Sequence, residues 1–472
     1  MRDSLRTDVP ARLDRLPWSR FHWLVVLALG VTWILDGLEV TFKGAVSGVL
    51  QLPQTLGLTP AQIGLLGSAY LAGAVAGALV FGRLTDHHGR QKLFFVTLAV
   101  YLAGVGLSAF AWNLWSFVAF RFLTGCGIGG EYAAINSAID ELIPARHRGR
   151  VGLMINGSFW LGAALGSGAT VVLLDPARFP VDLGWRLGFG IGAALGLAIL
   201  GLRRFIPESP RWLLTHGRVE EAERIVAGIE RRVGRALPAP AGPAITLHPR
   251  RRFGLAQVAH VMLARYPRRS ALCAMLMMSQ AFLYNAIFFT YALVLTRFYG
   301  VPADRTGLYL LPFALGNFLG PVALGHWFDT VGRRPMIGLT YGTSATLLAL
   351  TGWLFSEGLL SAASQTALWS VIFFFASAAA SSAYVTASEM FPLEIRALAI
   401  AIFFAVGTGT GGVLAPWLFG VLIGTGSREA VFGGYLAGAA LMLLAVAAVL
   451  AFGVRAERKP LEEVAPPLTS AL

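Results

Sequence analysis

Charge is scarce in this chain. Asp, Glu, Lys and Arg make up 13% of its 472 residues, where soluble domains carry about a quarter. Together with 56% hydrophobic residues, that excludes an ordinary soluble domain and points to a membrane protein. There are only two cysteines, Cys126 and Cys273, both inside apolar stretches, which excludes a disulfide framework and metal-ligand spacing. All eight histidines lie in tails, loops or the ends of apolar stretches, with His326 closest to membrane depth. Any buried proton carrier is therefore a carboxylate. HExxH, a nucleophile elbow and a Walker lysine are all missing, so neither an enzyme nor a cofactor or metal site is expected. The run "GCGIGG" (125–130) follows no strand and sits within an apolar helix, where small residues let helices approach closely.

What the chain has in abundance is windows of about 20 apolar residues, the length a helix needs to cross a bilayer. They predict an all-α membrane protein with twelve spans at 22–50, 61–84, 92–111, 113–139, 150–174, 186–205, 270–299, 304–327, 335–356, 366–389, 396–423 and 430–454. The first is too long and too charged for a cleavable signal peptide. The net charge of +13 is a topology signal: 31 of the 38 Lys and Arg fall in the two tails and the loops on one side. Five lie on the other side, namely Arg178, Arg186, Arg297, Arg305 and Arg428. The positive-inside rule then makes both termini cytoplasmic in a multi-pass protein of a prokaryotic cell (inner) membrane, with lipid rather than nucleic acid as its surroundings.

The spans fall into two sets. Residues 1–205 form a first six-helix half, 206–269 a cytoplasmic linker and 270–472 a second six-helix half. In the linker, Ser209-Pro210 is a helix start, and Leu213, Ala222, Ile225, Val226 and Ile229 can share one face. One or two short amphipathic helices are expected there, with 236–252 as flexible linker. The halves repeat. "GRLTDHHGRQK" (82–92) and "GHWFDTVGRRP" (325–335) share Gly, an Asp four residues on, then Gly-Arg, at an offset of 243; "ELIPARHRG" (141–149) and "EMFPLEIRA" (389–397) share Glu, Pro and Arg, at an offset of 248. Duplicated halves suit a carrier that rocks around a site near the midplane.

These loops, with "RFLTGCGIGGEYAA" (121–134), "PESPRWLL" (207–214) and "SEMFPLEIRA" (388–397) in this order, resemble the major facilitator superfamily, in the branch of sugar porters and metabolite:proton symporters. The resemblance runs from Val25 to Val454 and implies alternating access. It further implies that Asp86, Arg90, Glu141, Arg148, Asp329, Arg333, Glu389 and Arg396 form ion pairs that latch the outward-open form; ordinary solvated loop charge is the bland alternative.

Three charges break the first span. Asp36, Glu39 and Lys43, at i, i+3 and i+7, share a stripe roughly 60° wide. A charge at midbilayer costs about 2.5–3.5 kcal/mol on insertion scales, so the stripe should face the bundle interior or a wet cavity. The fourth span supplies Arg121 and Glu131, about 80° apart around the helix. By depth Arg121 can pair with either Asp36 or Glu39, and the sequence leaves both open. The resemblance assigns proton coupling to the Asp36 and Arg121 positions, and Glu39 and Glu131 are further candidates for sharing protons or touching substrate. A static ion-pair cluster is the competing reading, and Lys43, close to the outer interface, is the weakest member.

The second half has no charge near the middle of any span. It offers Gln280, Tyr284, Asn285, Asn317, Ser381, Ser382 and Tyr384. Gln280 and Asn285 match the sugar-porter pattern for binding, while interhelical hydrogen bonding is at least as good a role for the tyrosines, Asn317 and the serines. Ser279, Leu283, Ala383-Tyr384 and the glutamine-free "INGSFWLGAALG" depart from that pattern and count against hexose. "GGEY" leans toward metabolite and organic-ion carriers, whose solutes include aromatic and carboxylic acids and, in relatives, cations. The expected function is proton-coupled symport of a small organic solute by a monomer. A uniporter or a drug or organic-cation exporter is the alternative, and the short tails count against a solute receptor.

Overall fold

The computed structural model describes residues 5–203, 206–233, 237, 245–247, 254–288, 290–302 and 306–468. Most of the expected linker 236–252, and Arg305, lie outside the described residues. A strand β1 (Leu5–Thr7) and a short helix α1 (Val9–Asp14) precede a first group of helices: α2 (Arg20–Val49), α3 (Pro60–His88), α4 (Arg90–Ser108), α5 (Leu114–Leu142), α6 (Arg148–Gly157), α7 (Phe159–Leu173) and α8 (Val181–Arg203). After α9 (Pro210–Thr215), α10 (Val219–Val233), a strand β2 (Ile245–Leu247) and α11 (Leu255–His260) comes a second group: α12 (Pro267–Ile287), α13 (Tyr291–Tyr299), α14 (Thr306–Thr330), α15 (Arg333–Ser356), α16 (Ala362–Glu389), α17 (Arg396–Gly407), α18 (Val413–Gly424) and α19 (Arg428–Phe452), then α20 (Leu461–Val464).

Among the described residues nine helices are long and apolar enough to cross a membrane. Three expected spans fall outside that set for visible reasons. Helix α5 carries Arg121, Glu131, Asp140 and Glu141. Helix α15 opens on two arginines and is diluted by Gly, Thr and Ser. The stretch 150–174 breaks into α6 and α7 at Ser158, whose hydroxyl donates to the carbonyls of Ile155 (2.6 Å) and, across to α2, Gly30 (3.1 Å). Another discontinuity, a π-helical turn at Thr408–Gly412, separates α17 from α18 in a glycine-rich stretch. The outward faces are apolar, with Val171, Leu197 and Trp417 exposed, and Phe110, Trp112 and Trp115 stand out together at the α4–α5 turn as an interfacial aromatic belt would.

The glycines of "GCGIGG" do what their size suggests. Helix α3 packs along α5. A Cβ on Gly125 would meet the Tyr70 carbonyl, and one on Gly129 the Ala74 carbonyl. Backbone-to-backbone approach brings Tyr70 within reach of residues on α2 and α5.

The linker helices start where Ser209-Pro210 predicts: Ser209 Oγ accepts the Trp212 N–H at 3.1 Å. Helix α10 buries Ala222, Val226, Ile229 and Val233, with Ile225 only half-buried. It is tied to α1 by Arg12, which reaches Glu223 (2.6 Å) and Glu230 (2.7 Å), and the Arg12 hydrogen bond holds Glu230 below the usual carboxylate range. The all-α expectation needs one correction, because β1 pairs antiparallel with β2. Three-residue strands some 240 residues apart carry no alternation long enough to be read in sequence.

Gly89 joins α3 to α4 at φ +99°, a conformation L side chains rarely adopt, and a Cβ there would run into the Glu208 carboxylate. We expect Gly89→Ala to cost about 1–3 kcal/mol, seen as a lower thermal unfolding midpoint of the purified protein; an unchanged midpoint would mean the turn has an alternative conformation.

Candidate functional site

Asp36 and Glu39 are 1% and 2% exposed. They share a face of α2 yet have different partners. Asp36 Oδ1 accepts the Tyr70 hydroxyl and Oδ2 the Tyr132 hydroxyl, each at 3.1 Å. Arg121, fully buried, pairs instead with Glu39. The choice left open by depth is therefore settled for Glu39, and Asp36 and Arg121 make no direct pair. They connect through Tyr70, whose ring lies 4.8 Å from the Arg121 guanidinium carbon while its hydroxyl binds Asp36. The groups facing Asp36 are thus Glu39 on its own helix, Tyr70 from α3, Arg121 and Tyr132 from α5, and Tyr384 from α16. Lys43 points its ammonium toward Gly67 on α3.

Between the two helix groups lies a cavity of about 210 Å³. Asp36 is on its wall, with Gln280, Tyr284, Asn285, Ser381 and Tyr384 opposite. Glu39 and Glu131 are off that wall. Glu131 accepts the Thr97 hydroxyl (3.0 Å) and sits behind Trp33 and Tyr132. Asn317 is also off the wall and supports it by accepting the Tyr284 hydroxyl at 2.7 Å, while Ser382 bonds back to its own helix at Ala379. Asp36 is the one charged residue lining the cavity among the described residues, so the absence of charge in the second half extends to its wall.

Sequence reasoning found Tyr284 and Tyr384 but missed the rest of the aromatic lining. Trp33, Tyr132, Tyr384 and Phe404 cluster beside Asp36, with ring centroids 4.4 Å apart for Trp33–Tyr132 and 4.6 Å for Tyr132–Phe404. Trp160, Tyr284 and Phe288 form another wall, Trp160 lying 5.6 Å from Tyr284 and 5.0 Å from Phe288. Trp33 stands at i−3 from Asp36, so the stripe itself could have found it. Tyr132 follows Glu131, and one residue is about 100° of helix: in "GGEY" the tyrosine, not the glutamate, reaches the cavity. Tyr70 and Asn156, which also line it, carry no sequence signal of their own.

At one end of the bundle the repeated motifs close the gap between the groups, and they do so symmetrically. Asp86 accepts the first amides of α17, Ala397 (3.3 Å) and Leu398 (3.0 Å); Asp329 accepts those at the start of α6, Gly149 (2.9 Å) and Arg150 (2.7 Å). Each carboxylate thus sits on the positive end of a helix from the other group. Arg90 holds Asp86 (3.2 Å) and Glu141 (3.0 Å), and Arg333 holds Asp329 and Glu389 (2.9 Å each). Arg148 and Arg396 cross between groups, to Glu389 (3.8 Å) and Glu141 (3.7 Å). Gly82 supplies the close approach, since a Cβ there would lie 2.6 Å from Ala401 Cβ. Glu208 of the "PESPR" segment accepts the Arg90 and Ser209 N–H groups (2.8 and 2.9 Å); burial pushes its carboxyl above the usual value against the pull of those donors. All eight residues expected in the latch are in this network.

Two groups of apolar helices that enclose a largely aromatic cavity and lock together at one charged end define a membrane carrier. The profile of the sugar (and other) transporter family matches residues 40–467, and the chain belongs to that family, within the major facilitator superfamily. Its members are membrane transporters, not enzymes. The chain is 28% identical over 461 residues to the niacin transporter NiaP of Acinetobacter baylyi, covering 97% of this chain and 99% of the relative. It is likewise 28% identical over 460 residues to the 4-hydroxybenzoate transporter PcaK of Pseudomonas aeruginosa, covering 95% and 96%. Its fold matches the proton:xylose symporter XylE bound to 6-bromo-6-deoxy-D-glucose with a TM-score of 0.76, at 20% identity, over 94% of this chain and 98% of that one.

Proposed function

We propose that this chain is a proton-coupled symporter of a small, ring-bearing organic solute, with Asp36 taking up and releasing the proton. In this reading twelve spans form two halves, 1–205 and 270–472, that rock about the central cavity. The carrier works as a monomer in the bacterial inner membrane, termini in the cytoplasm, and the closed charged end is the cytoplasmic one. The observation that carries the proposal is the cavity between the groups, on whose wall Asp36 is the one charged residue among those described. A carboxylate there is easily switched, because desolvation favours its neutral form and hydration its charged form. An apolar cavity of about 150 Å³ takes up benzene, so one of about 210 Å³ suits a single substituted ring. Relatives named for niacin and 4-hydroxybenzoate fit that size class.

The test is solute uptake into proteoliposomes with an imposed pH gradient. Accumulation driven by an acidic exterior and lost with a protonophore is the expected result. Uptake indifferent to the gradient would leave a uniporter, acid-driven expulsion an exporter, and binding without flux a receptor.

A further inference from the structure

On the side of Asp36 the Trp33 indole N–H is buried without a partner, and the tyrosine donors beside it are spent. Tyr70 and Tyr132 both spend their hydroxyl protons on the Asp36 carboxylate. Across the cavity, Tyr284 spends its own on Asn317, and Asn285 Nδ2 donates to the Ala281 carbonyl at 2.7 Å. No Arg, Lys or His lines the cavity among the described residues, and Arg121 is committed to Glu39.

Acceptors are left over as well. Asn156 is 7% exposed, and its Nδ2 donates to Asn136 Oδ1 (3.2 Å) and the Gly152 carbonyl (2.8 Å). Those two acceptors fix which way the amide points. Its Oδ1 is buried and left without a partner, on a residue that lines the cavity. Asp36 adds lone pairs beyond the two already used, since an ionised carboxylate offers about four. A buried acceptor without a donor is costly, and a solute that brings the donor recovers that cost.

We propose that the cavity selects a ring-sized solute by an N–H group, amide or amine, directed at the acceptors Asn156 Oδ1 and Asp36, and discriminates against a carboxylate in the same place. A carboxylate brings negative charge to a wall whose one charged side chain among the described residues is the acidic Asp36, and it would meet the electron-rich rings of Trp33, Tyr132, Tyr384 and Phe404. An N–H donor suits both features, and more so when it is charged. This rests on the carrier reading above and adds to it the chemistry of the solute.

Four pyridines of nearly one size test it: nicotinamide (uncharged, N–H), 3-picolylamine (cationic, N–H), nicotinate (anionic, no N–H) and methyl nicotinate (uncharged, no N–H). Binding of each to the purified full chain is measured by thermal shift and calorimetry near neutral pH, then flux into proteoliposomes. We expect both N–H compounds to bind about tenfold or more tightly than nicotinate and methyl nicotinate. Methyl nicotinate equal to nicotinamide would mean that charge and not the donor is read, and nicotinate equal or better would mean that the wall accepts anions. If none of the four binds, a ring with an N–H is not what this wall selects. Each of those three results overturns the proposal. Binding of the N–H compounds without flux would instead sink the carrier reading and leave the donor preference standing, whereas flux led by nicotinate would do the reverse.

Discussion

Asp36→Asn abolishes proton-driven accumulation while leaving downhill movement of solute intact: that is the expected result, and it follows from how the two buried carboxylates of α2 are held. One pH unit across the membrane is worth about 1.4 kcal/mol per proton. A one-proton symporter therefore accumulates solute up to about tenfold per unit, and a carrier without the proton site only equilibrates. The asparagine keeps the shape of the side chain and one oxygen for a tyrosine hydroxyl, and the second hydroxyl can turn to accept from the new amide, so the helix contacts survive. Glu39→Gln is the matched control. It leaves Arg121 a buried cation without its counter-ion, a loss that costs about 3–5 kcal/mol in buried pairs. Its signature is lower stability with a preserved slope of accumulation against pH gradient. Proteoliposome uptake at several imposed gradients separates the two; a slope retained in Asp36→Asn, or lost in Glu39→Gln alone, would move the proton site to Glu39.

The division between what could be read in the sequence and what could not has a geometric cause. The stripe Asp36, Glu39 and Lys43 was legible because 3.6 residues per turn is a local rule. The charged motifs of the closed end were legible because the same letters recur at a fixed offset, so two copies vouch for each other; that they act as a latch is what the resemblance implies. Pairing across helices was not. Arg121 could be placed to within a turn, about 5.4 Å, which is also about the rise between Asp36 and Glu39. An error of one residue in helical phase likewise separates Glu131, turned toward Thr97 on α4, from Tyr132, whose hydroxyl reaches Asp36. Asn317 takes the interhelical role that the sequence left open beside solute binding, bracing Tyr284 instead of lining the cavity. Apart from Tyr284 and Tyr384, the aromatic wall escaped because phenylalanine, tyrosine and tryptophan in an apolar helix look alike whether they face lipid, another helix or a solute.

Replacing both latch aspartates, Asp86→Ala with Asp329→Ala, should release the closed end of the bundle and change the carrier's conformational balance more than its fold. Each carboxylate accepts two backbone amides from the opposite helix group and one arginine of its own. The amide contacts exist only when the groups meet. When the end opens, water can take the carboxylate's place on those amides, so the loss falls mainly on the closed state. Breaking a buried charged contact costs about 3–5 kcal/mol. At about 1.4 kcal/mol per tenfold, even one such loss shifts the closed-to-open ratio by roughly two to four orders of magnitude. Arg90 and Arg333 keep Glu141 and Glu389 as partners within their own groups, which is why each group should stay folded. Val385 on α16 packs against Gly152 on α6, so a cysteine placed there, in a chain freed of Cys126 and Cys273, reports opening by its rate of maleimide labelling. Labelling should accelerate sharply in the double variant while its thermal midpoint falls only modestly. If the cysteine stays protected and uptake is normal, closure is carried by the apolar contacts of α3 with α17 and α6 with α14 rather than by the charged motifs. The two aspartates would then be helix caps that happen to reach across.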